Sequence, residues 1–132
     1  MVIDTSAIAA HLFGEEEAPA LERAIAADPV RLLSAATLLE AGIVIEARLG
    51  EAGARELDWI LHKADVHVVP FDADQAEVAR HAFRMYGRGR HPAGLNLGDC
   101  FAYALSVTSG EALLFKGQDF SQTDVRCVAY LA

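Results

Sequence analysis

Residues 1–12 read MVIDTSAIAAHL. Met1, Val2 and Ile3 form a short apolar run that stops at Asp4, and the Ala, Ile and Leu spacing after it has helical period. This is a strand feeding straight into a helix, with Asp4 at the strand's carboxyl end. The pattern recurs along the chain. EEEAPALERAIAADP carries its acids first, then a helical spacing, and stops at Pro29. VRLLS, residues 30–34, reads as the second strand, and AATLLEAGIVIEARLG as a helix closed by Gly50. EAGARELDWILHKA is a polar amphipathic helix, VHVVPF a β-branched third strand, and DADQAEVARHAFRMYG a helix with Asp72 at its cap. After the loop RGRHPAGLN come the helix LGDCFAYALSVTSG, the strand ALLF, the turn KGQDFSQTD and a last short strand, VRCVAYL, residues 125–131.

Alternation of this kind predicts an α/β fold, because parallel strands need crossover connections and those are usually helices. The expectation is a three-layer α/β/α sandwich around a mostly parallel sheet of four to five strands. Ligands of such sheets bind outside the carboxyl ends of the strands, so the residues following each strand are the ones to inspect.

With 132 residues there is room for one compact domain, 1–132, and no repeat or linker divides it. A hydrophobic fraction of 53% excludes a disordered tail. The apolar runs are short and broken by charge, so no membrane span and no signal peptide are expected and the cytoplasm is the default compartment. Cys100 and Cys127 lack CxxC spacing and read as free thiols. A net charge of -8 argues against tight, sequence-independent nucleic-acid binding. It leaves room for an enzyme whose acids hold cations against a phosphate.

Four acids stand out: Asp4 after the first strand, Glu40 in an apolar helix, Asp99 opening the LGDCFAYAL helix, and Asp119 after ALLF. Each has an ordinary structural role available. Asp4 suits a helix cap, Asp99 lies three residues after Asn96 as in a capping box, and Asp119 sits in a Gly-containing turn. Glu40 is harder to explain that way, being the only charged residue from Leu32 to Ile45 in a helix with apolar residues on several faces. If all four met within about 5 Å, each pair would repel by about 3 kcal/mol at an effective dielectric near 20. Such a cluster must hold a cation or take up protons. Oxygen-only ligands select hard ions such as Mg2+ or Mn2+, and no HExxH or Cys/His pattern supports zinc.

The opening VIDTSAI, the helix LLEAGIVIEAR, the stretch GRGRHPAGLNLGDCFAYALS and the ending LLFKGQDFSQTDV together resemble the PIN domains of VapC toxins, in the same order and over nearly the whole chain. The resemblance implies an acidic pocket for Mg2+ or Mn2+, cleavage of RNA (often tRNA or rRNA), a homodimer, and inhibition by a VapB-type antitoxin in a type II toxin-antitoxin pair. Asp4, Glu40 and Asp99 match the first three family acids. For the fourth, Asp119 is chosen and Asp124 held in reserve, since Gln118 stands where the family often carries Asn or Asp. Thr5 or Ser6 matches the hydroxyl that follows the first acid and is placed to orient water or a phosphate. One or two metal ions would then activate water for in-line attack on a phosphodiester.

Arg84, Arg88, Arg90 and His91 are the densest basic stretch. Arg88 and Arg90 are candidates for contacting RNA phosphates beside the metal, against the alternative of a solvated loop. Phe101, Tyr103 and Leu105 are expected to pack the core, and Trp59 to be a core or dimer contact rather than a base-stacking platform. Two other classes compete: a phospho-acceptor receiver domain using Asp72 and Lys116, and an inactive PIN fold serving as a binding module. A receiver would show an adjacent acidic pair after the first strand, where Asp4 is followed by Thr5. A haloacid-dehalogenase-like phosphatase would need a second Asp that DTSA lacks.

Overall fold

The structure is a computed structural model describing residues 1–130. Four strands, β1 (Val2–Ile3), β2 (Leu32–Ser34), β3 (His67–Val69) and β4 (Leu113–Leu114), pair in parallel in the order β3-β2-β1-β4. The helices are α1 (Thr5–Leu12), α2 (Ala18–Ala27), α3 (Ala35–Lys63), α4 (Ala73–Tyr86) and α5 (Leu97–Ser109), with a 3-10 turn at Phe120–Gln122.

Alternation along each strand divides the core. Val2 and Leu113 face a cluster built with Ala82, Cys100, Ala104 and Phe120, the α4 and α5 side. Ile3, Leu33 and Leu114 face one with Ile8, Leu21, Ala41 and Leu57, the α1 to α3 side. Helices therefore cover both faces of a sheet whose inner strands must be apolar throughout, the expected three-layer α/β/α architecture. The chain winds from β1 out to β3, then returns to lay β4 on the other side of β1. In open parallel sheets such a reversal marks the crevice where ligands bind, here beyond the carboxyl ends of β1 and β4.

The two helices expected over 35–64 form one span with a break at Gly50, where φ 67° and ψ -161° lie in a region essentially reserved for glycine. The last strand is reduced to a single parallel bridge between Leu113 and Cys127, because Leu113 N donates to Arg126 O and Val128 N donates to Leu113 O and no further rung follows within the described residues. Leu131 of that expected strand lies outside the described residues. Two side-chain expectations also change. The first half of α3 is not wrapped on all sides: Leu39 and Ile43 are 67% and 62% exposed. Of the two expectations for Trp59, exposure of 58% beside His62 removes the core one and leaves the dimer contact. Tyr103 and Leu105 are buried as expected, while Phe101 is half-buried and packs edge-on against Phe71. Cys100 and Cys127 are free. Among the described residues, no helix is long and apolar enough to cross a membrane.

Candidate metal centre

Asp4 occupies the turn between β1 and α1. Its backbone is extended, its carbonyl begins the helix, and its Oδ2 accepts from Ser6 N at 3.0 Å and from Ser6 Oγ at 2.7 Å. Ser6 Oγ accepts in turn from Lys116 N at 3.0 Å, so the segment after β4 holds the hydroxyl that holds the carboxylate. Both Ser6 bonds fall on one Asp4 oxygen. The other, Oδ1, is buried and has no hydrogen-bond partner. A buried carboxylate oxygen without a donor is costly unless a proton or cation meets it. Burial accordingly pushes the Asp4 carboxyl up to about 7, the nearby charges of Asp99 and Glu40 adding to it against the Ser6 bonds.

Glu40 reaches the same place from α3. It is half-buried, and Thr5 Oγ1 donates to its Oε1 at 2.5 Å. Its carboxylate lies against Gly98 in the first turn of α5. Asp99 stands one residue further along that turn. Its Oδ2 accepts from Asn96 N at 3.0 Å while Asn96 Oδ1 accepts from Asp99 N at 2.9 Å, completing the capping box. Burial raises the Asp99 carboxyl above its ordinary value, Asp119 and Glu40 raise it further, and the Asn96 bond and Arg88 pull it down. Asp119 precedes the 3-10 turn, exposed, within the field of Asp99. Asp124 is engaged elsewhere, accepting from Tyr103 Oη at 2.6 Å.

Asp4, Glu40 and Asp99 thus feel one another's charge, with Asp119 in the field of Asp99, and this is compatible with the capping roles of Asp4 and Asp99. The cluster is looser than a nest of touching charges. Glu40 is tied to Thr5 and Asp99 to Asn96, and among the described residues no three His, Cys, Asp or Glu side chains already converge on one point. Burial, rather than mutual repulsion, is the largest cause of the shifts at both Asp4 and Asp99. The donor chemistry nevertheless fits a hard divalent cation. All the candidate ligands are oxygen, and Asp4 Oδ1 is buried without a donor.

Of the basic stretch, Arg88 lies near Asp99. Arg84 and Arg90 instead line a hollow of about 580 Å³ between α4 and α5, with Phe71, Phe83, Leu97 and Phe101. His91 serves the loop: its Nδ1 accepts from Ala93 N at 3.0 Å and its ring packs edge-on to Tyr86. The receiver alternative finds no centre. Asp72 is an exposed cap of α4 behind the edge strand β3, accepting from Gln75 N, and the Lys116 ammonium is paired with Glu15 and Glu17. Two contributors went unread in the sequence. The Ser6–Lys116 link is a long-range backbone contact with no local signature. Gly98 had one: a glycine in the first turn of an otherwise apolar helix, where it costs about 1 kcal/mol relative to alanine, asks for a packing reason.

Residues 1–126 match the PIN domain family. A Ribonuclease VapC of Mycolicibacterium smegmatis is 60% identical over 97% of this chain and 99% of its own length. Ribonuclease VapC30 of Mycobacterium tuberculosis is 57% identical, with 98% of each chain covered. Among solved structures, the sarcin-ricin loop cleaving toxin VapC20 of Mycobacterium tuberculosis superposes with a TM-score of 0.79 at 23% identity, covering 96% of this chain and 97% of that one. VapBC2 from Rickettsia felis, bound to a DNA fragment from its promoter, gives 0.74 at 11% identity, over 97% and 96%.

Proposed function

The chain belongs to the PIN-domain family, and from that membership and the acidic crevice we infer that it is an endoribonuclease of the VapC type, dependent on Mg2+ or Mn2+ and acting as the toxin of a type II toxin-antitoxin pair. The observation that carries the metal dependence is Asp4 Oδ1, a buried carboxylate oxygen left without a donor while its twin takes every hydrogen bond. Asp4, Glu40 and Asp99 would hold the ion, with Asp119 as the fourth acid in preference to Asp124, whose carboxylate Tyr103 engages.

A bound divalent ion supplies Lewis acidity, lowering the pKa of water and offsetting phosphodiester charge. The chain's own residues do the positioning. Ser6, steadied by Lys116 N, fixes the Asp4 carboxylate through Oδ2 and leaves Oδ1 free for the ion. Thr5 does the same for Glu40. The capping box keeps Asp99 at the mouth of α5, where the helix dipole favours negative charge. Arg88, beside Asp99, would meet a phosphate of the RNA backbone, whereas Arg90 lines the hollow between α4 and α5 and would reach only a more distant part of the RNA. The basic residues hold register without reading bases.

The RNA substrate, drawn from structured RNAs such as tRNA or rRNA, and an antitoxin partner of the VapB type are consistent with the names of the relatives. A basic antitoxin tail would complement the net charge of -8. The exposed apolar residues of α3, Leu39 and Ile43, are compatible with a homodimer.

The test is RNA cleavage by purified protein freed of antitoxin, with Mg2+, Mn2+ or chelator. Cleavage is expected with either ion, absent with chelator, and lost in Asp4→Asn and Asp99→Asn. Full activity in either variant rules out the assignment.

A further inference from the structure

Gly98 is the second residue of α5, one position before Asp99. A methyl group built there would overlap Oε2 and Cδ of Glu40 outright and lie 2.6 Å from Oε1. The space a side chain would take is thus filled by the carboxylate of a residue on another helix. Gly42, by contrast, is a glycine of α3 whose added methyl would meet nothing within 4 Å. Gly98 is buried, and the first-turn amides of α5 favour an anion against them. Thr5 also holds Glu40, donating to Oε1.

We propose that Gly98 is a positioning residue of the metal site: its missing side chain is the notch that seats the Glu40 carboxylate between Thr5 and the mouth of α5, next to Asp99. The overlapping atoms belong to the far end of a flexible side chain, not to backbone. Adding a methyl group therefore displaces Glu40 and leaves the fold alone. Alanine also favours a helix more than glycine does, so stability does not fall with the loss of the seat. Stability and metal affinity move apart, which a purely structural role for Gly98 does not allow.

The inference rests on the acids binding a divalent cation, and the experiment separates the two. Mn2+ is titrated by calorimetry into wild type and Gly98→Ala, with Gly42→Ala as the control, and Tm is measured in chelator for all three. Expected are an unchanged or raised Tm for both variants, wild-type Mn2+ affinity for Gly42→Ala, and an affinity about 10- to 100-fold weaker for Gly98→Ala, the usual scale for residues that orient ligands. Glu40→Asp, one methylene shorter, pulls the carboxylate back from α5. Its cost in Mn2+ affinity is expected to shrink in the Gly98→Ala background, the two losses falling short of their product. Wild-type Mn2+ affinity in Gly98→Ala, or losses that simply multiply, overturns the assignment. Failure of wild type itself to bind Mn2+ overturns the metal reading beneath it. Should Gly98→Ala unfold, Glu40→Ala in the same background removes the overlapping group and restores folding; continued unfolding also overturns the proposal.

Discussion

Replacing Asp4 with Asn removes the charge at the centre of the crevice while keeping the cap, since Asn and Asp are equally good there and the amide oxygen still accepts from Ser6. Asp4 is only 3% exposed, and its carboxyl is pushed from the ordinary 3.8 to about 7, chiefly by burial. The unfolded chain therefore releases this proton near 3.8, while the folded chain keeps it to about 7. Between those values the unfolded state is favoured more with each rise in pH. The stability is fully present below 3.8 and lost as pH rises through about 7. The interval is worth about 4 kcal/mol, of which about 3 kcal/mol falls between pH 5 and 8. For a chain of this size that is a Tm change of roughly 10 °C. The assay is urea or thermal unfolding in chelator from pH 5 to 8.5, wild type against Asp4→Asn. Wild type is expected to lose stability relative to the variant as pH rises, with the gap levelling off above about pH 7. Parallel curves for the two proteins across this range would refute the account of Asp4 as a buried, undercompensated acid.

Three further outcomes follow from the same contacts. In wild type at pH 8, saturating Mn2+ is expected to restore stability, by about 2.7 kcal/mol at a hundred times its Kd; Asp4→Asn gains nothing, and equal gains in both exclude Asp4 as a ligand. Ser6→Ala leaves Lys116 N without its acceptor and removes the hydroxyl bond to Asp4 while the backbone one remains, so a loss of about 1 to 3 kcal/mol in denaturant unfolding is expected together with slower RNA cleavage. Gly50→Ala forces a side chain into backbone angles that only glycine adopts easily; a loss of about 1 to 3 kcal/mol is expected with cleavage per folded molecule unchanged.

The parts of the fold that were legible in the sequence are those governed by local chemistry. Val2, Ile3, Leu113 and Leu114 read as strands because a two-sided buried sheet demands uninterrupted apolar residues, and Gly50 marked the break in α3 because no other residue suits its backbone. Asn96 and Asp99 announced a helix start by spacing alone. Asp4, Glu40, Asp99 and Asp119 stand out as a set in the sequence, and the fold brings Asp4, Glu40 and Asp99 within one another's field, with Asp119 in that of Asp99. What escaped depends on contacts between distant segments. The β-branched residues near Val125 promise a full strand, but only Cys127 finds a partner on β4. Leu39 and Ile43 look like core from composition yet face outward, because an apolar helix does not declare which of its sides the sheet will cover. The seat of Glu40 on Gly98 arises from the way α3 crosses α5, which no spacing within either helix records. The weight of burial over repulsion in shifting Asp4 likewise required knowing how deeply its turn is enclosed.

The central claim is that Asp4, Glu40 and Asp99 gather a divalent cation onto the free oxygen of Asp4. The most direct measurement is anomalous diffraction from crystals grown with Mn2+. An Mn2+ peak about 2.1 to 2.2 Å from Asp4 Oδ1, shared with Asp99 or Glu40 and absent in Asp4→Asn, is the predicted result. Mn2+ bound only at sites remote from the β1–β4 crevice, or a peak that persists unchanged in Asp4→Asn, would contradict it.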